Sequence, residues 1–397
     1  MTIFNSLGSN YDLRFVWEAL WARNKSPAAD NLKDLLRKKY TGEVHLVYKG
    51  REALELALKR LNLPQGSSIA INGFTCYAVY RSVVDTGYKI VYLDIGAKGL
   101  NFSAAELTKT VEKNPSIKAV IIQNTLGFPC KIEPIAKLCR QKGIVLIEDL
   151  AHSVGAVYAN GKEAGSVGDF VVLSFSQDKM IDAISGGALI VRNKKYQEDF
   201  NEELQIITLI RELMDRFYPL LTWLIRKTYA IKLGKLLHYT LKKFKLLSTP
   251  MDESFYDLYS LSNWYCSLVL YSFAKLESNL SHRRSIAKIY KDNLDKKIMP
   301  TDIHLINNSS NLRFPIFVGK RKGLISFLAM KDVYISDIWY DAPVAPKRYL
   351  KQTDYQGQCP NAEQTASSIV NLPTHISISE SDALEISHQI NQWLKSQ

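Results

Sequence analysis

Seven short stretches of this chain read as strands, and several of them are apolar almost without interruption. They are Glu43–Lys49 (EVHLVYK), Ser67–Asn72, Lys89–Ile95 (KIVYLDI), Lys118–Asn124 (KAVIIQN), Gly143–Asp149 (GIVLIED), Asp169–Ser176 (DFVVLSFS) and Gly187–Arg192 (GALIVR). Unbroken apolar runs, unlike alternating ones, suit strands covered on both faces of a mostly parallel sheet. Arg51–Asn62 (REALELALKRLN) reads as an amphipathic helix and Tyr77–Asp85 as a second helical stretch. Strand–helix alternation of this kind predicts an α/β layered domain, with ligands held at the carboxyl ends of the strands.

The remainder of the chain is of different character. A length of 397 residues suffices for two domains. We expect a large α/β domain over 1–255 and a smaller α+β domain over 256–397. The latter opens with a helix over Leu261–Leu280, contains a strand over Leu312–Val318, and closes with a helix over Ala383–Leu394. Within 204–247, Ile206, Ile210, Leu213, Phe217, Leu220 and Leu224 recur at helical spacing, and Pro219 is expected to break or kink the run. The bland reading is a pair of helices packed on the body or on a second subunit. The sharper reading is a membrane-surface helix.

The net charge of +12 raises the question of nucleic acid. Much of it sits in Arg211–Lys245, with nine Lys/Arg against Glu212 and Asp215, and no nucleic-acid-binding signature accompanies it. A nucleic-acid partner is therefore not expected; a solvated basic face or contact with anionic lipid is. The five cysteines are scattered and form no metal-type cluster, which suits reduced thiols and a cytoplasmic location. The N-terminus lacks the pattern of a signal peptide. No apolar stretch approaches the roughly 20 residues of a membrane span.

Three features fall at strand ends. Asp149 and His152 end GIVLIED in the stretch EDLAHSVGA. Ser174 and Lys179 end DFVVLSFS in SFSQDKMIDAISGG. Gly50 opens a helix in KGREAL. Pyridoxal phosphate needs these residue types. A lysine amine must hold it as a Schiff base and move a proton, and a carboxylate must keep the pyridine nitrogen protonated. Backbone N–H groups at a helix start and a hydroxyl must hold the phosphate. Each residue has a bland alternative: a solvated lysine, a helix-capping Asp, a packed His, a turn glycine, an ordinary strand serine.

Taken together, EDLAHSVGA, NGKEAGSVGDFVVLSFSQDK and GGALIV resemble the DegT/StrS family of fold-type I pyridoxal phosphate enzymes. Lys179 lies five residues after Ser174 and seven before Gly186, as that family's cofactor lysine does. The resemblance continues at YKGREALELAL, INGFTCYAV, LRFPIFV and CPNAEQTASSIVNLPTH. It implies an aspartate-aminotransferase-like fold with a seven-stranded, mostly parallel sheet. It also implies a homodimer and these roles: Lys179 as the cofactor lysine and acid/base, Asp149 at the pyridine nitrogen, and His152 near the phenolic oxygen. Ser174 and the Gly50–Arg51–Glu52 turn would hold the phosphate.

The chain departs from the family in several places. Arg51 stands where a small hydroxyl residue is usual. Cys76 replaces the ring-stacking aromatic, which leaves Tyr77 or Phe74 to cover the ring. Leu258, Tyr259, Ser260 and Leu261 stand where many members read Asn-x-Arg-Met. Trp339-Tyr340 replaces a His-Tyr pair in the substrate loop.

The resemblance implies an aminotransferase that converts a keto sugar, nucleotide-linked, into an amino sugar for surface glycans, with glutamate as donor. Two alternatives stand beside it: a pyridoxal phosphate enzyme on a non-sugar or lipid-linked carbonyl, and a non-catalytic, membrane-associated partner that kept the fold.

Overall fold

The computed structural model describes residues 2–22, 27–197, 202–248, 257–336 and 340–397. All seven strand-like runs form strands of one sheet: β1 (Glu43–Val47), β2 (Ser68–Asn72), β3 (Lys89–Leu93), β4 (Ile117–Ile122), β5 (Val145–Asp149), β6 (Phe170–Ser174) and β7 (Gly187–Val191). Their order is β1-β7-β6-β5-β4-β2-β3. The pairs from β3 across to β6 are parallel, and β7 runs antiparallel to both its neighbours. Every residue of β2, β5, β6 and β7 is buried, as expected of strands covered on both faces. The architecture is that of fold type I.

The helices that matter for the site are α1 (Leu13–Trp21), α2 (Gly50–Leu61), α3 (Tyr77–Asp85), α4 (Leu209–Thr228), α5 (Leu233–Lys243), α6 (Asn263–Ala274), α7 (Leu276–Asn293) and α8 (Glu380–Lys395). The helix expected over Leu261–Leu280 is two helices, α6 and α7, that meet at Lys275. The C-terminal part adds an antiparallel pair, β8 (Phe314–Phe317) with β9 (Ile369–Leu372), packed with α7 and α8. The expected boundary at 255/256 lies outside the described residues.

Two expectations about 204–247 are corrected. First, α4 runs through Pro219 without ending. Side chains on both sides of the proline are buried, Asp215 before it and Tyr218, Thr222 and Ile225 around and after it, so packing keeps the helix continuous where propensity alone would break it. Second, the apolar stripe is not what α4 buries against the body. Ile206, Ile210, Leu213 and Phe217 are exposed and Leu220 and Leu224 half-buried, while the buried face carries Asp215, Tyr218, Thr222 and Ile225. Among the described residues no helix is long and apolar enough to cross a membrane.

Candidate active site

Adjacent residues of a strand point to opposite faces, and the Glu148-Asp149 pair uses this. Glu148 is fully buried and gathers the loop between β5 and β6. One oxygen accepts from Tyr158 Oη and the Gly165 N–H, each at 2.7 Å, and the other accepts from the Val167 N–H at 2.7 Å. Asp149 is left at the strand end on the opposite side. Its Oδ1 accepts from the Ala151 N–H at 2.9 Å. Burial pushes its carboxyl up to about 6; the Ala151 N–H and the Lys179 charge oppose that rise. Three residues on, His152 is buried and accepts the Leu126 N–H at Nδ1, 3.2 Å. Burial, with the Lys179 and Arg313 charges, holds its ring well below the usual histidine range, so it is neutral with the hydrogen on Nε2.

Lys179 follows β6 on a closed turn. Asp182 makes that closure: it accepts the Asp178 N–H at 2.8 Å and the Ile184 N–H at 3.1 Å. Asp178 and Ile184 both take positive φ, a conformation this closure holds. The N-terminal segment braces the turn from outside. Tyr11 Oη donates to Asp182 at 2.6 Å, and Asn10 Nδ2 donates to Asp182 at 3.0 Å and to the Lys179 carbonyl at 3.3 Å. Burial lowers the Lys179 amine below the ordinary lysine value, while Cys76, Asp149 and Asp178 pull it back up. A larger neutral fraction of amine is what a nucleophilic lysine requires.

The start of α2 abuts the end of β6. A Cβ on Gly50 would lie 2.6 Å from Ser174 Cβ and 2.9 Å from Ser174 Oγ, so only glycine allows this approach. The first-turn N–H groups of α2 and the Ser174 hydroxyl thereby share one small space, a cradle suited to a phosphate. Glu52 turns away from it. Its carboxylate accepts the Tyr48 N–H at 3.1 Å and the Tyr259 N–H at 3.3 Å. Burial pushes Glu52 up to about 7, which lessens negative charge near the cradle. Arg51 is partly buried and lies within reach of the Cys76 and Glu52 charges.

The remaining candidates are placed as follows. Cys76 caps the start of α3, and the charges of Lys179, Asp149 and Arg51 all act on its thiol, which burial raises. Phe74 is fully buried against the Tyr340 ring at 4.6 Å. Tyr77 stacks on Tyr349 at 4.7 Å and donates to Gln352 at 3.0 Å. Tyr340 is buried, accepts from Gln123 Nε2 at 2.8 Å, and meets the His152 ring edge-on. Trp339 lies outside the described residues. Leu258–Leu261 runs beside β1, where Tyr259 both accepts the Tyr48 N–H at 2.9 Å and donates to Glu52.

Sequence reasoning missed the supports: Glu148, Asp182, Asn10, Tyr11 and Gln123. It also missed a network behind the cradle. There buried Asp215 of α4 accepts from Tyr48 Oη at 2.6 Å, Tyr265 Oη at 2.7 Å and Ser185 Oγ at 3.1 Å. Lys49 donates to the same Ser185 at 3.0 Å. Gln123, Glu148 and Asp182 lie within the stretches KAVIIQN, GIVLIED and SFSQDKMIDAISGG, but nothing in their spacing shows what they hold. Among the described residues no cluster suited to a metal ion is present.

The model of the DegT/DnrJ/EryC1/StrS aminotransferase family matches residues 13–217 and 244–391. A GDP-perosamine synthase of Vibrio cholerae is 23% identical over 357 residues, covering 87% of this chain and 85% of that protein. A UDP-N-acetyl-3-dehydro-alpha-D-glucosamine 3-aminotransferase of Acidithiobacillus ferrooxidans is 30% identical over 142 residues, 36% of this chain and 38% of that one. The solved structure of Helicobacter pylori PseC, an aminotransferase, superposes with a TM-score of 0.74 at 18% identity, covering 98% of each chain. The Gly50–Ser174 cradle, the Asp149 carboxyl and the Lys179 amine fit pyridoxal phosphate, and the chain belongs to the DegT/DnrJ/EryC1/StrS family of aminotransferases, enzymes that use this cofactor to move amino groups.

Proposed function

We propose that this aminotransferase converts a nucleotide-linked keto sugar into an amino sugar for surface glycans, with glutamate as amino donor. The observation that carries the catalytic part is that Lys179 follows, and Asp149 ends, two strands paired in parallel, which brings the amine and the carboxyl to the same edge of the sheet. The sugar is supported by the names of relatives such as the GDP-perosamine synthase and the UDP-sugar 3-aminotransferase.

Bound pyridoxal phosphate supplies an electron sink for the carbon that loses its proton. Lys179 would hold it covalently and, once displaced by the donor amine, take and return that proton through the same nitrogen. Asp149 would face the pyridine nitrogen as a carboxylate and favour its protonated form. The Gly50–Ser174 cradle would hold the phosphate, with Arg51 beside it. Neutral His152 presents an Nε2–H donor for the phenolic oxygen. Cys76, whose thiol feels the Lys179 charge, would lie beside the ring. Trp339 and Tyr340 would border the sugar.

Pyridoxal phosphate added to the purified protein is expected to give the visible absorbance band of a lysine-bound cofactor. Glutamate is expected to bleach that band, and the correct keto sugar nucleotide to restore it. Lys179→Ala should abolish the band and cut turnover by about 10²–10⁴-fold or more. A band that survives in Lys179→Ala, or one that glutamate leaves unchanged, overturns the reading.

We further infer a cytoplasmic homodimer whose 204–247 segment touches the inner face of the membrane. Family membership supports the dimer, and sedimentation as a monomer would reject it. The outward apolar stripe of α4, flanked by lysines and arginines, supports the membrane contact. Flotation with anionic vesicles tests it, and a lack of salt-sensitive binding would reject it.

A further inference from the structure

A second opening lies apart from the cofactor cradle. Between the N-terminal segment, α4 and residues 375–378 is a cleft of about 470 Å³, within the roughly 300–1,000 Å³ of small-molecule sites. Phe4, Leu13 and Trp223 form apolar wall, and Arg226, Lys227 and His375 supply polar groups. The family model skips 218–243. Trp223, Arg226 and Lys227 all fall in that gap, so one wall of the cleft lies where this sequence departs from the family pattern.

The polar groups define what the cleft can hold. Arg226 donates through Nη2 to the Tyr11 carbonyl at 2.8 Å, and its Nε–H meets no acceptor among the described residues. Lys227 is exposed at the rim. The one carboxylate in the lining, Asp12, is engaged elsewhere: it accepts the Phe15 N–H at 2.7 Å and faces Lys275 at 3.6 Å. This side of the cleft therefore attracts an anion. His375 is only 2% exposed. Its Nε2 lies 2.8 Å from the Phe4 carbonyl and must donate there. Its Nδ1 is then a lone pair with no donor among the described residues. Burial, with Arg313 and Arg283 nearby, keeps that ring neutral. The Arg226–Lys227 end thus favours negative charge, and the buried His375 Nδ1 is an acceptor that a donating hydroxyl would satisfy.

An apolar ridge continues outward. Leu13, Trp17 and Trp21 follow one another at four-residue spacing along α1 and are 60%, 63% and 64% exposed. On α5, Leu233 and Leu236 are exposed beside Lys232 and Lys235. Aromatic and aliphatic side chains interleaved with lysines suit the boundary between head groups and acyl chains of an anionic membrane.

We propose that this cleft binds the head group of an anionic glycerophospholipid that carries one phosphodiester and a free hydroxyl, while Leu13, Trp17 and Trp21 lie against its acyl chains. The phosphodiester pairs with Arg226 and Lys227, and the hydroxyl donates to His375 Nδ1. The inference rests on the membrane contact proposed above and names the lipid and the residues that read it.

The test uses the full-length protein loaded with pyridoxal phosphate. Soluble dihexanoyl phosphatidylglycerol, kept below its micellar concentration, is titrated against it by calorimetry. Dihexanoyl phosphatidylcholine, glycerol 3-phosphate and inorganic phosphate form the other arms. Saturable binding of the phosphatidylglycerol alone is expected, weakened about tenfold or more in Arg226→Gln, the loss of one charge-assisted contact. The cofactor band should be the same in both proteins, which shows that the variant is folded. No saturable binding, equal binding of glycerol 3-phosphate or inorganic phosphate, or equal binding by wild type and Arg226→Gln overturns the proposal. Vesicle flotation separates the two readings. Flotation without soluble-lipid binding leaves the membrane contact and removes the cleft; soluble-lipid binding without flotation does the reverse.

Discussion

Helices α2 and α4 look alike as sequence and behave as opposites in the fold. Both carry leucines or isoleucines at helical spacing among charged residues. In α2 the apolar side is buried, with Leu54, Leu58 and Leu61 in the core. In α4 the first part of the apolar stripe, Ile210, Leu213 and Phe217, is outside, and Asp215, Tyr218, Thr222 and Ile225 are inside. The two helices nevertheless converge on one residue. Glu52 of α2 accepts the Tyr48 N–H, and Asp215 of α4 accepts the Tyr48 hydroxyl. An apolar periodicity shows that a helix has two faces; it does not show which of them the protein covers.

The largest test of the contrast replaces a buried residue on each helix. Leu58→Ala removes fully buried side-chain volume and should cost about 2–5 kcal/mol. Asp215→Ala leaves the hydroxyls of Tyr48, Tyr265 and Ser185 without their shared acceptor, and leaves Arg211, 4.0 Å away, without its carboxylate. Its cost should be similar, about 3–5 kcal/mol. Urea unfolding of both variants decides the matter. If Asp215→Ala unfolds like wild type, α4 is not anchored through its polar face and the contrast with α2 fails.

A smaller effect separates the two carboxyls on Tyr48. Glu52 is raised from 4.5 to about 7 by burial. The folded protein therefore holds a proton there that the unfolded chain has already released. Stability from this group is full below the unfolded value and is lost as pH rises towards about 7. Glu52→Gln keeps an acceptor for the Tyr48 and Tyr259 N–H groups and removes the titration. The variant should gain roughly 1–3 kcal/mol on wild type between pH 5 and pH 8. Unfolding midpoints at the two pH values measure this; parallel curves for the two proteins would refute it.

The same contrast explains what could be read before the structure. The seven strands were legible because burial on both faces leaves unbroken apolar runs. Lys179, Asp149, Ser174 and Gly50 were legible because strand ends place chemistry at fixed spacing. Glu148 stands beside Asp149 in the same run and drew no reading, yet it ties down the 158–168 loop, since neighbouring residues of a strand face opposite ways. Asp182 and Asp215 left no signal, because hydrogen bonds to Tyr11 and Tyr48 span more than 160 residues and follow no period. The outward face of α4 was hidden for the same reason. What reverses that helix is a buried carboxyl whose donors, Tyr48, Ser185 and Tyr265, lie on three distant segments.

The smallest expected effect is the most telling for α4. Ile210 is 73% exposed, so Ile210→Ser removes an apolar side chain that the body does not cover. Stability should stay within about 0.5 kcal/mol of wild type, against the several kcal/mol of Leu58→Ala. If the stripe serves a surface outside the chain, the same substitution should still weaken flotation with anionic vesicles, because less apolar area enters the head-group boundary. A fall in stability comparable to Leu58→Ala would mean that the stripe is covered in the folded protein. Unchanged stability with unchanged flotation would leave the α4 stripe an ordinary exposed surface and remove the reason for setting it against α2.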